Sequence, residues 1–113
     1  MHEYSIVEAL LARVDEEARA RGASAVHRLT VRIGELSGVE IDLLTAAYAT
    51  FRERTICAHA DLDVKPVPAA WGCPECGGAI ARGAVLRCRD CGVPARLIGG
   101  DEILLDRIEM EVP

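Results

Sequence analysis

Cys73-Pro74-Glu75-Cys76 and Cys88-Arg89-Asp90-Cys91 are the stretches on which the fold of this chain turns. Each C-x-x-C brings two thiolates from one tight turn to the same point, and two such turns complete a tetrahedral S₄ shell. Gly77 and Gly92 follow the second cysteine of each pair, where a chain folding back around an ion calls for a positive φ. Between Cys73 and Cys91 the sizeable apolar residues are Ile80, Val85 and Leu86, too few for a core. A metal is the simplest thing to hold the segment, and the spacing favours structural zinc over a redox dithiol pair or a rubredoxin-like iron site.

Working outward, Ala60–Lys65 alternates as a strand that Pro66 and Pro68 should end, and Pro68-Ala69-Ala70-Trp71 reads as the junction into the zinc segment. On the far side, residues 102–112 read as a last strand. Its apolar phase slips near Asp106, from odd positions (Ile103, Leu105) to even ones (Ile108, Met110, Val112), which predicts a bulge. Strands on both sides suggest that the insert grows from a hairpin-like connection between two paired strands. Upstream, Ile6, Leu10 and Val14, with Val7, Leu11 and Ala18 beside them, predict an amphipathic helix over 6–21. Ser5 and Glu8 form a capping-box pattern and Gly22 suits the stop, which would leave Met1 to Glu3 outside the helix. Residues 26–33 alternate as a half-buried strand with Leu29, Val31 and Ile33 on one face. Ser37 with Glu40 looks like a second capping box, opening a helix with the stripe Leu44, Ala47, Tyr48 and Phe51.

These elements predict an α+β fold in the order αβαββ: a three-stranded sheet of antiparallel type, two helices on one face, and an inserted zinc-ribbon lobe. The expected division is 1–69 plus 101–113 as one domain and 70–100 as a zinc-binding domain. The chain has 113 residues, half of them apolar, and a formal charge of −5. That acidity argues against nucleic acid and against anionic membranes. No apolar run approaches the roughly 20 residues of a membrane span, and no signal peptide is apparent. Five cysteines with four in metal spacing fit a reducing compartment, so the expected location is cytoplasmic.

The second candidate site is the N-terminus. The Met1 amine, the His2 backbone nitrogen and the His2 imidazole can chelate one ion in fused rings, a planar nitrogen set that suits Ni(II) or Cu(II). Glu3 could lend a carboxylate. Other candidates have plainer readings. His27 shares parity with Leu29 and Val31 and reads as a histidine at the rim of the core. Cys57, two residues from His59, reads as a small buried hydrophobe. Glu40 is adequately explained as a capping residue. No triad, paired-carboxylate site or phosphate loop is present in the sequence, and four thiolates leave zinc no open position, so no enzymatic activity is expected.

Met1-His2-Glu3 at the start of a helix, with a double C-x-x-C ribbon late in an acidic chain of this length, resembles the HypA family of nickel metallochaperones for [NiFe]-hydrogenase maturation, which serve urease in some organisms. Arg32-Ile33-Gly34-Glu35-Leu36-Ser37-Gly38-Val39-Glu40 resembles the family's strand-to-helix junction, Pro68-Ala69 its entry to the zinc lobe, and Gly100-Asp101-Glu102-Ile103 with Ile108-Glu109 its return strand. The resemblance implies nickel at Met1, His2 and Glu3, with Glu40 as a further contributor near that end, and zinc at Cys73, Cys76, Cys88 and Cys91. Implied partners are the nickel-binding GTPase of the pathway, the hydrogenase large-subunit precursor and, where urease is served, urease accessory proteins; monomer and homodimer both stay open. Ile41 stands where the family commonly has proline, and Cys57 with His59 is not a usual family feature. The competing reading is a zinc-ribbon protein–protein adaptor without a second metal.

Overall fold

The computed structural model describes residues 2–113. The chain runs α1 (His2–Ala20), β1 (Ala25–Gly34), α2 (Ile41–Phe51), β2 (Asp61–Val67), β3 (Ala70–Gly72), β4 (Ala79–Ile80), β5 (Arg96–Gly99) and β6 (Ile103–Glu111). Two three-stranded sheets result, ordered β2-β1-β6 and β4-β3-β5. The longest dimension is 55 Å and the radius of gyration 17.9 Å, well above the roughly 13 Å of a compact chain of this length. The α+β class and the ribbon are as expected.

The first helix buries Val7, Leu10, Val14 and Ala18 at helical spacing. Arg13–Glu17 and Arg19–Asp15 pairs lie on its exposed side. Its stop is as expected: Gly22 takes φ +64°, and the Ala23 N–H reaches back to the Ala18 carbonyl at 2.9 Å. Its start is not. The helix begins at His2 rather than after Ser5, so His2 and Glu3 lie inside its first turn. Tertiary contacts hold that turn: the Glu3 carboxylate accepts the Glu40 N–H at 3.2 Å, and the Tyr4 and Phe51 rings meet edge to face at 5.2 Å. These contacts tie α1 to α2, which packs on it, and both contribute to one core over β1.

Between β1 and α2 the second capping box does not form. The cap of α2 is Glu40, without a side-chain bond, and the Ser37 hydroxyl instead accepts the Val39 N–H at 3.3 Å, a local turn. Ile41 is therefore the first helical residue, a position that favours proline. Phe51 is more than a third exposed, drawn out to meet Tyr4.

The first sheet is mixed rather than antiparallel. β6 runs antiparallel to β1, but β2 runs parallel to it, with Leu29 opposite Leu62 and Ile33 opposite Pro66. A helix between β1 and β2 returns the chain to the starting end of the sheet, so the next strand must run the same way. β2 continues through Pro66 because it is an edge strand, where a residue without an N–H is tolerated. For the same reason the insert does not sit on a hairpin: it links β2 and β6, which flank β1 on opposite sides.

The bulge at Asp106 is present, since Thr30 faces Arg107 while Val31 faces Leu105. A second irregularity lies between Val26 and Arg28, and it overturns the reading of His27. The extra residue shifts the phase, so Val26 is buried and His27 projects outward, its ring 3.5 Å from the Glu111 carboxylate.

Candidate metal centre

The ribbon places its four cysteines through two turns that match bond for bond. In the first, the Gly77 N–H donates to the Cys73 carbonyl at 2.9 Å and the Cys73 N–H to the Gly78 carbonyl at 2.9 Å. In the second, the Gly92 N–H donates to the Cys88 carbonyl at 3.0 Å and the Cys88 N–H to the Val93 carbonyl at 2.9 Å. Gly77 and Gly92 take φ of +74° and +71°, as the sequence predicts. Within each turn, amides converge on the leading sulfur. Cys73 Sγ accepts from Glu75 and Cys76 at 3.3 and 3.4 Å, and Cys88 Sγ accepts from Cys91 at 3.3 Å. Donors of this kind stabilise a thiolate.

All four Sγ atoms lie within 4.8 Å of one another, and Cys76 Sγ is 3.8 Å from Cys88 Sγ. A tetrahedron with Zn–S bonds of about 2.3 Å has an edge of about 3.8 Å. The thiols also resist ionising together. The Cys76 amide, followed by that of Glu75, brings Cys73 down to about 7, while contacts with Cys76, Cys73 and Cys88 push Cys91 up to about 12. Four crowded sulfurs cannot all carry charge without a cation among them, so donor set, spacing and electrostatics fit a closed, structural zinc site. Among the described residues this is the single group of three or more His, Cys, Asp or Glu side chains with converging ligand atoms.

The N-terminal candidates are arranged differently. Met1 lies outside the described residues. His2 is exposed at the first helical position, where an N–H has no intrahelical partner. Glu3 and Glu40 are brought together, but through the Glu40 amide rather than its carboxylate, and that amide is the leading cause of the lowered Glu3 pKa. Cys57 is fully buried; burial raises its pKa and leaves it a core residue. His59 is exposed and outside the metal-type group.

Sequence reasoning missed the contact that joins the two sheets. The Arg82 guanidinium makes a two-pronged contact with the Glu35 carboxylate at 2.6 and 2.5 Å, and Glu35 also accepts the Ala69 N–H at 2.8 Å. Arg82, first, and the Ala69 amide bring Glu35 down to about 2. A pair 47 positions apart leaves no periodic trace in a sequence.

The model of one protein family, described as hydrogenase/urease nickel incorporation, metallochaperone, hypA, matches residues 1–110. The chain belongs to the HypA family. Among HypA relatives, hydrogenase maturation factor HypA of Wolinella succinogenes is 38% identical, with 98% of this chain and 96% of that protein covered. That of Aquifex aeolicus is 36% identical with 99% of each covered. Solved HypA structures agree: the solution structure of the Ni metallochaperone HypA from Helicobacter pylori superposes with a TM-score of 0.74 at 30% identity, covering 98% of each chain. A second HypA solution structure gives a TM-score of 0.82 at 32% identity, covering 100% of this chain and 98% of the other.

Proposed function

We propose that this chain is a nickel metallochaperone. It binds Ni(II) at its N-terminus and hands it on for maturation of [NiFe]-hydrogenase, while Cys73, Cys76, Cys88 and Cys91 hold a structural zinc ion. The observation that carries this reading is the family match over residues 1–110, a span that contains His2. In this reading the Met1 amine, the His2 backbone nitrogen and the His2 ring bind the cargo, with Glu3 beside them and Glu40 adjoining. The start of α1 at His2 supports it on one physical point. The His2 N–H makes no intrahelical bond, so losing its proton to a metal leaves the helix ladder intact. A planar nitrogen set leaves a ligand position open to exchange, which suits handing over rather than holding. The same set would prefer Cu(II) in free competition, so selectivity comes from supply and from the partner.

Zinc has no part in the transfer here; with all four positions taken by thiolates, it shapes the ribbon. In this reading 1–69 plus 101–113 form the nickel-binding domain and 70–100 the zinc-binding domain, a division supported by the presence of two separate sheets. The partners in this reading are the pathway's nickel-binding GTPase and the hydrogenase large-subunit precursor, with urease accessory proteins as a second outlet, all in the cytoplasm. No described helix is long and apolar enough to cross a membrane.

The test is Ni(II) titration calorimetry on zinc-loaded protein with an authentic Met1 terminus, beside His2→Ala and a form extended before Met1. The expected result is about one equivalent bound at micromolar affinity or tighter by the first protein, and none by the other two. Equal binding in all three would move the site away from the terminus. No binding in any would make the chain a zinc-ribbon adaptor.

A further inference from the structure

The two sheets meet at a waist built almost wholly of backbone. A Cβ on Gly34 would stand 2.3 Å from the Gly100 carbonyl, and one on Gly100, at φ +96°, would stand 2.5 Å from Ala69 Cα. Three chain segments therefore touch there with no room for side chains. Backbone bonds fasten them: Glu35 N–H to the Val67 carbonyl at 2.8 Å and Leu36 N–H to the Gly100 carbonyl at 2.7 Å. One step further this firm packing ends. Ala70 pairs with Gly99, the register slips between Ala70 and Trp71, and the space around Gly99 is open.

Glu35 bridges that step. One carboxylate oxygen takes both the Ala69 amide, at the edge of the waist, and Arg82 Nη1; the other takes Arg82 Nη2. Arg82 lies beyond β4, in the loop that leads to the second cysteine turn. No other ion pair among the described residues joins 70–99 to the rest of the chain. The paired geometry is directional, because a planar guanidinium meeting a carboxylate through two bonds fixes an angle as well as a distance.

We infer that Glu35 is a latch: by gripping Arg82 and the Ala69 amide with one carboxylate it sets the angle of the ribbon to the first sheet, and the ribbon turns about Ala70 and Gly99 when the grip is lost. Glu35 begins the segment whose far end, the Glu40 amide, is held by Glu3. The angle it sets is therefore that between the ribbon and the start of α1. The latch is light. The Glu35 and Arg82 side chains are 38% and 68% exposed, and exposed pairs of this kind shift an equilibrium by about fivefold or less. It biases an orientation without freezing it.

The test is residual dipolar coupling on the full, zinc-loaded chain, comparing the parent with Arg82→Gln and Glu35→Gln. In the parent, the alignment tensors of the two sheets should be close in magnitude and direction. In Arg82→Gln, which keeps Glu35 on Ala69, the ribbon should need its own, smaller tensor, with zinc content and the couplings within each sheet retained. Glu35→Gln keeps an acceptor for Ala69 but loses the charge, and should move the same way. Added salt should move the parent part of that distance. Tensors as close in both variants as in the parent would overturn the inference, even with a lowered melting temperature, because the backbone waist alone would then fix the angle.

Discussion

The region around β1 buries thirteen residues in one aliphatic core drawn from α1, β1, α2 and the turn after it. Residues 70–99, by contrast, bury just two side chains, Cys73 and Cys88, and leave Val85, Leu86 and Ile98 largely exposed. The two cysteine turns repeat the same backbone bonds, but neither they nor the short strands β3 to β5 exclude water from any apolar cluster. Oil holds the first region and an ion holds the second. The two should therefore fail under different insults, which is a sharper statement than a single stability for the chain.

Chelating zinc, or replacing Cys73 with serine, should have the largest effect and confine it to one side of the comparison. Structural zinc contributes roughly 10–16 kcal/mol in small zinc-dependent folds, far more than two buried cysteines supply. Hydrogen exchange should show protection lost across 70–99 and kept in α1, β1 and α2; loss in both regions would erase the distinction. Thiol alkylation followed by mass spectrometry should find four reactive cysteines after chelation, with Cys57 still silent inside the core. The reciprocal insult, Leu44→Ala at a fully buried position, should cost about 2–5 kcal/mol in denaturant unfolding of the first region. It should leave the zinc stoichiometry unchanged. The smallest effect concerns the contact between the regions. Glu35 is held at about 2, below its ordinary 4.5, so whatever it contributes is present above pH 4.5 and is lost only as pH falls through about 2. A carboxyl-carbon NMR titration of Glu35 should be flat from pH 7 to 4; a midpoint near 4.5 would mean the Arg82 contact is not made in solution.

The pattern of what the sequence revealed follows the same divide. The cysteine turns were legible down to the φ of Gly77 and Gly92, because metal geometry is encoded in spacing within a few residues. The body of α1 and its glycine stop, β1, and the slip at Asp106 were legible from periodicity. What failed depends on contacts between distant residues. Ser5 and Glu8 suggested a helix start that Glu3 and Tyr4 override through Glu40 and Phe51, near the end of the chain that the nickel reading uses. Ser37 with Glu40 matched a capping pattern, yet the hydroxyl bonded within its own turn. His27 shared the parity of Leu29 until a one-residue slip against β6 turned it outward. The direction of β2 is not written in β2 at all; it follows from the helix before it.

That direction has a further consequence. Because β2 runs with β1 and β6 against it, the chain leaves the first sheet and re-enters it at the same end, on either side of Gly34. The gap between the two ends is two strand spacings, roughly 10 Å, which about three residues of extended chain can cross. The ribbon thus occupies the place of a short loop. In genealogical terms it has the form of a cassette, a module that insertion could add and recombination could exchange while the strand order beneath it stayed the same.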